Sequence, residues 1–307
     1  MAAEVIAANK DRGGQCLGAN LFAVVALLSG LAIRRNSPGR QLRGRPWLAR
    51  LMPGLALVLA PALAADWQPL EPRPLAPVDA ELAYAEASAQ RQSDDQRVTA
   101  HLALFHSRAF RLAVVDLEPS LNADGARMDK AFLAAGIPAG VNGGFFHPDW
   151  RPLGLVIADG QRIHRLERAK LLSGVLYSDP GGNYLVRYAA FRDHAGIDAL
   201  LQTGPYLVEH GRAVRGLSTT PPARRTFAAT DWRGHWALGA TRNPISLADL
   251  ADCLATTGCL TDWPVERAIN LDGGSSTGFF FADGPEGEAV VMPPFKRVRN
   301  LLGIRPR

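Results

Sequence analysis

From Val98 onward the apolar residues fall into short runs broken by turns, the pattern of strands rather than of long helices. Runs at 98–105, 110–117, 153–158, 174–177, 184–188, 206–208, 226–230 and 236–241 predict strands, and the segments VEHGRAV and TDWRGHW predict hairpin turns, so most of the sheet is expected to be antiparallel. Two segments carry helical signals instead. One is 128–135, closed by Gly136; the other is 246–257, where Ser246 is a natural N-cap, Asp249 sits at N3 and Gly258 suits C′. Upstream, 66–77 is proline-rich and extended, and 79–96, rich in alanine and charge without a clean apolar stripe, reads as a surface helix or a poorly ordered arm. Strands mixed with isolated helices predict an α+β fold, a mainly antiparallel mixed sheet packed around a few helices. It forms a single compact domain over 98–307, preceded by a linker or arm over 65–97 and a leader over 1–64.

Composition excludes disorder, with 47% of residues apolar and 21% charged in a chain of 307. The formal charge of +5 would suggest a polyanionic partner, but it is unevenly placed. Lys10, Arg12, Arg34, Arg35, Arg40, Arg43, Arg45 and Arg50 face only Glu4 and Asp11 within 1–64, which leaves the rest slightly acidic. No nucleic-acid partner is therefore expected. The leader itself reads as targeting sequence: Arg43, Arg45 and Arg50 precede an apolar run over 51–60, then Ala62-Leu63-Ala64, which predicts export to the periplasm or medium with cleavage after Ala64 and no stable membrane insertion afterwards. A second apolar stretch over 21–33 is read as the product of too early a start codon, the alternative being an inner-membrane anchor. Cys253 and Cys259 are close enough for a disulfide in an oxidising compartment or for two buried thiols, and neither has a CxxC partner or nearby His to suggest zinc.

Four glycine-broken segments end apolar runs: GVNGGFF (140–146), LQTGPYLV (201–208), RRTFAATD (224–231) and INLDGGSSTGFF (269–280). A strand that delivers Asn, Asp, Arg or Ser into a glycine turn presents polar side chains and bare backbone N–H groups to a ligand. In the last segment Asn270 and Asp272 alternate with Ile269 and Leu271 and so share a face; Gly273 and Gly274 allow close approach, and Ser275 and Ser276 add hydroxyls. Of the two arginines, Arg225 is expected to face the site and Arg224 the solvent, because the strand runs apolar from Thr226. Gly274 to Gly278 also matches a nucleophile elbow, yet no His follows His235, so the triad order of an α/β-hydrolase fails. His147, next to NGGFF, reads equally as a surface residue or an acid/base. There is no Walker loop and no GxGxxG, so no nucleotide cofactor is implied.

Taken in order, the four segments resemble the phosphodiester glycosidase family, through Asn142, Gly143, Gly144 and Phe146, then Gln202 and Gly204 to Leu207, then Arg225 and Thr226, then Asn270 to Ser276. The closing RVRNLLGI, with Asn300, is similar to the family's final strand, although two glycines follow Asp272 where many members have three. The resemblance implies a hydrolase that removes a sugar from a sugar-1-phosphodiester, a glycan or cell-envelope glycopolymer. It implies Asp272 as nucleophile or base; Arg225, the N–H groups of Gly273 and Gly274, and Ser275 or Ser276 on the phosphate; and Asn142, Gln202 and Asn270 orienting sugar or carboxylate. No cofactor is required, and a divalent cation near Asp272 is allowed. The competing reading is a non-catalytic envelope protein that binds phosphoglycans with the same cleft.

Overall fold

A computed structural model describes residues 66–70, 81–117 and 127–307. The leader, its cleavage site and part of the expected linker lie outside the described residues. Among the described residues no helix is long and apolar enough to cross a membrane.

Three antiparallel sheets make up the fold. The largest has eight strands: β1 (Trp67–Pro69), β2 (Leu82–Arg91), β3 (Arg97–His106), β14 (His235–Thr241), β13 (Thr226–Thr230), β15 (Arg267–Asn270), β11 (Tyr206–Glu209) and β12 (Arg212–Ala213), in that spatial order. A five-stranded sheet runs β7 (Gln161–His164), β6 (Val156–Ala158), β10 (Ala199–Thr203), β8 (Gly174–Asp179) and β9 (Gly182–Arg187). The third runs β17 (Val290–Met292), β16 (Phe279–Phe281), β5 (Ala139–Asn142), β18 (Asn300–Pro306) and β4 (Phe110–Asp116). The α+β expectation is thus corrected toward a sheet-rich architecture, with only two α-helices among the described residues, α1 (Met128–Ala134) and α2 (Leu247–Ala255).

All three sheets contribute to one core, in which Ala103, Phe105, Val114, Val141, Leu176, Leu201, Tyr206, Leu238, Phe279 and Leu302 pack together. The helices cover outer faces. Helix α2 starts at Ser246, whose hydroxyl accepts the Asp249 N–H at 3.0 Å, and lays Leu250, Ala251, Cys253 and Leu254 on the large sheet. Cys259 is buried in the same cluster. Helix α1 sets Met128 and Phe132 against the third sheet. There Gly140 and Gly303 are register partners, and their missing side chains leave the space that the Phe132 ring fills: a Cβ on Gly140 would lie 2.4 Å from it.

The helix or arm expected over 79–96 is instead mainly strand β2, and together with β1 it extends the eight-stranded sheet. Its signal was weak because the buried positions are only alanines, Ala85, Ala87 and Ala89, whose period-two alternation carries little hydrophobic contrast.

Because the Phe132 ring occupies glycine-shaped space that cannot collapse, Phe132→Ala is expected to lower unfolding stability by about 3–5 kcal/mol, read as an earlier urea midpoint.

Candidate active site

The glycine-broken segments meet where the ends of β5, β10, β13, β15 and β18 come together, at a junction of all three sheets. At its centre lies Asn142, fully buried at the end of β5. Its Nδ2 donates to the Asp272 carbonyl at 2.7 Å, and its Oδ1 accepts both the Thr226 hydroxyl at 2.6 Å and the Gly278 N–H at 3.0 Å. One side chain thus ties β5, β13 and the turn after β15, and every amide bond it makes satisfies a buried group that would otherwise be orphaned. The Asp272 N–H donates to the Gly143 carbonyl at 3.1 Å.

Asn300 holds the neighbouring chain. The Gly143 N–H donates to its carbonyl at 2.9 Å and the Gly144 N–H to its Oδ1 at 2.7 Å. A Cβ on Gly143 would sit 2.0 Å from that Oδ1, so only glycine permits the approach. Asn270 donates to the Gly204 and Leu271 carbonyls, and its own carbonyl accepts the Thr203 hydroxyl. Gln202 clasps the entry to β6 and the loop before β8: its Oε1 accepts the Leu155 and Glu167 N–H groups and its Nε2 donates to the Glu167 carbonyl. Asn142, Gln202 and Asn270 are therefore buried clamps on backbone, acting on the site by positioning it. The N–H groups expected to meet phosphate are also engaged: Gly273 donates to the Asp272 carboxylate at 2.9 Å and Gly274 to the Arg224 carbonyl at 2.7 Å.

Asp272 is the polar end product of this scaffold. It is partly buried, and burial pushes its carboxyl up to about 6; the Ser276 hydroxyl, the Gly273 N–H and the charge of Lys296 pull in the opposite direction without cancelling the rise. Since the folded pKa is raised, this group contributes stability at pH values below the ordinary aspartate range and loses that contribution as pH rises through about 6. Near neutrality the fold carries a carboxylate that its own environment disfavours, a common property of reactive groups.

The arginines exchange their expected places. The Arg225 Nε donates to the Ile245 carbonyl at 2.9 Å and its NH2 to that of Pro221 at 3.1 Å, so its guanidinium braces a loop beside the site, although its Cδ passes 3.8 Å from where a Gly273 Cβ would lie. Arg224 lies against the glycine turn, donating to the Thr277 carbonyl at 3.1 Å with its guanidinium stacked 3.8 Å over the Phe295 ring. Its Nε is buried without a partner among the described residues, and burial lowers its pKa. Phe295 and Lys296 belong to a loop pinned to the turn, both N–H groups donating to the Ser275 carbonyl at 2.8 and 3.1 Å. Sequence reasoning assigned Arg224 to solvent and missed Phe295 and Lys296, whose signal was the run Pro293-Pro294-Phe295-Lys296-Arg297, where two prolines present an aromatic and two cations together.

Ser276 is buried and Ser275 is partly exposed. His147 sits in a turn closed by its own N–H to the Arg151 carbonyl, apart from the Asp272 network. Among the described residues no three of His, Cys, Asp or Glu gather as a metal site, and the groups acting on the Asp272 carboxyl are a hydroxyl, an N–H and a cation.

A family model described as phosphodiester glycosidase matches residues 135–305, more than half of the chain and all four glycine-broken segments. No curated protein matches. Among solved structures, the catalytic domain of zebrafish N-acetylglucosamine-1-phosphodiester alpha-N-acetylglucosaminidase, auto-inhibited by its pro-peptide, is similar at 18% identity and a TM-score of 0.58, covering 78% of this chain and 88% of that one. A hypothetical protein from Synechocystis is similar at 15% identity and a TM-score of 0.47, covering 79% of this chain and 68% of that one. At 18% identity the likeness to the zebrafish domain is one of fold; the match over 135–305 goes further, and the chain belongs to the phosphodiester glycosidase family.

Proposed function

We propose that this protein is an exported hydrolase that releases a sugar from a sugar-1-phosphodiester, with Asp272 acting at the anomeric carbon and Arg224 and Lys296 meeting the phosphate. The observation that carries this reading is a single carboxyl held at a glycine turn, drawn toward ionisation by the charge of Lys296, with the Arg224 guanidinium donating to the Thr277 carbonyl of the same turn. Family membership supports the reaction class.

Glycosidases acting on ordinary glycosides need two carboxyl groups, because an alcohol leaves poorly without a proton. A phosphomonoester dianion leaves readily when its charge is met. One carboxylate and an arginine then suffice. The bond between the anomeric carbon and the phosphate oxygen breaks, its electron pair stays on phosphate, and water supplies hydroxyl to the sugar. Asp272 either takes the proton from that water or first attacks the carbon itself. The stacked Arg224 guanidinium offers donors that need little reorganisation as charge builds on the leaving oxygen.

With folding checked by circular dichroism, Asp272→Asn is expected to lower kcat/KM on a sugar-phosphodiester by about 10²–10⁴-fold; turnover close to that of the parent chain sinks the assignment. Hydrolysis in ¹⁸O-water places the label in the sugar, whereas label in phosphate would mean P–O cleavage. The active form of Asp272 is the carboxylate, so kcat/KM rises with pH through about 6 and is flat above it. Lys296 is the charged group that favours ionisation, and Lys296→Gln therefore moves that acid limb to higher pH; an unchanged limb would show that another group titrates.

A further inference from the structure

On the outer side of the loop that carries Phe295 lies a groove of about 560 Å³, lined by Arg127, Met128 and Asp129 at the start of α1 and by Val291 and residues 293–297. It adjoins the active site. Phe295 lines it while carrying Arg224 on its ring, and a Cβ on Gly278, next to Thr277, would lie 3.0 Å from both the Met128 sulfur and Pro294. The same loop is fastened to the catalytic turn through the Ser275 carbonyl. Whatever extends past a phosphate held by Arg224 has this groove as its neighbour.

The charges are lopsided. Arg127 is paired with Asp129 at 2.7 Å, but Lys296 and Arg297 are exposed and form no salt bridge among the described residues, Lys296 reaching Asp272 only through its charge. Val291, Pro293 and Phe295, the last 79% exposed, supply apolar walls between the cations. A neutral glycan would be met by amides and carboxylates that accept from its hydroxyls. This groove offers mainly cationic donors, and guanidinium in particular matches phosphate and carboxylate oxygens.

Resting on the hydrolytic reading above, we propose that this groove is the leaving-group subsite and that it selects substrates whose aglycone carries a second anionic group, a phosphate or a carboxylate, beyond the scissile phosphodiester.

The test uses the full chain and three esters of one sugar-1-phosphate, whose aglycone is a plain diol, the same diol phosphorylated at its far end, or the matching hydroxy acid. Both kcat/KM of the parent protein and Kd of the Asp272→Asn protein are measured. The anionic aglycones are expected to be favoured about tenfold over the plain diol in low salt, the preference shrinking as salt screens exposed charges. Whichever of the two anionic esters is favoured identifies the group read. In Arg297→Glu, and separately in Lys296→Glu, the ratio is expected to fall to about one or below. Equal values for all three esters, or a preference that both variants retain, overturns the proposal. Charge-selective binding without sugar release by the parent chain would keep the groove as an anion subsite and overturn the hydrolytic reading instead.

Discussion

The arrangement of the site depends on the buried amide of Asn142. Three sheets that share a core can still slide at their ends, where strands stop and backbone groups lose their partners. Asn142 supplies two acceptor contacts and one donor contact at that junction, binding Thr226, Gly278 and Asp272 to one rigid point. Asn300 and Asn270 do the same for the adjacent strand ends. The buried Asn270 Oδ1 and Asn300 Nδ2 have no hydrogen-bond partner among the described residues, so the positions are constrained by the bonds these amides do make rather than by a fully satisfied set. This is how strands distant in sequence deliver Asp272 to one place.

That rigidity bears on the chemistry. A carboxylate in a flexible loop would turn toward water and regain its ordinary pKa. Asp272 is held by its main chain through both its N–H and its carbonyl, so its side chain stays in the environment that lifts its pKa. The stability given up there as the group ionises is offset by the large apolar core that surrounds the junction.

Much of this is legible in the sequence. The strand 226–230 and the N-cap at Ser246 follow from short-range pattern and appear as read. Convergence of Asn142, Thr226, Asn270 and Asp272 followed from glycine turns placed after apolar runs, read together with the family resemblance. Their division of labour did not follow, because a polar residue at a strand end looks alike whether it faces a ligand or a backbone carbonyl, and only burial distinguishes Asn142 from Asp272. The exchange of Arg224 and Arg225 has a similar origin: alternation places them on opposite sides, but which side the turn occupies depends on a loop 70 residues further along that neither residue announces. Strand β2 was obscured by the small contrast between alanine and its polar neighbours.

The way Arg224 is fixed has its own consequence. An aspartate could orient the same guanidinium, and would also extinguish its positive field. The Phe295 ring restrains the plane by contact with its π-face and brings no formal charge, so the cation is immobilised yet remains electrostatically available. An aromatic brace of this sort suits a side chain that must wait, already aimed, for an anion to arrive from solution.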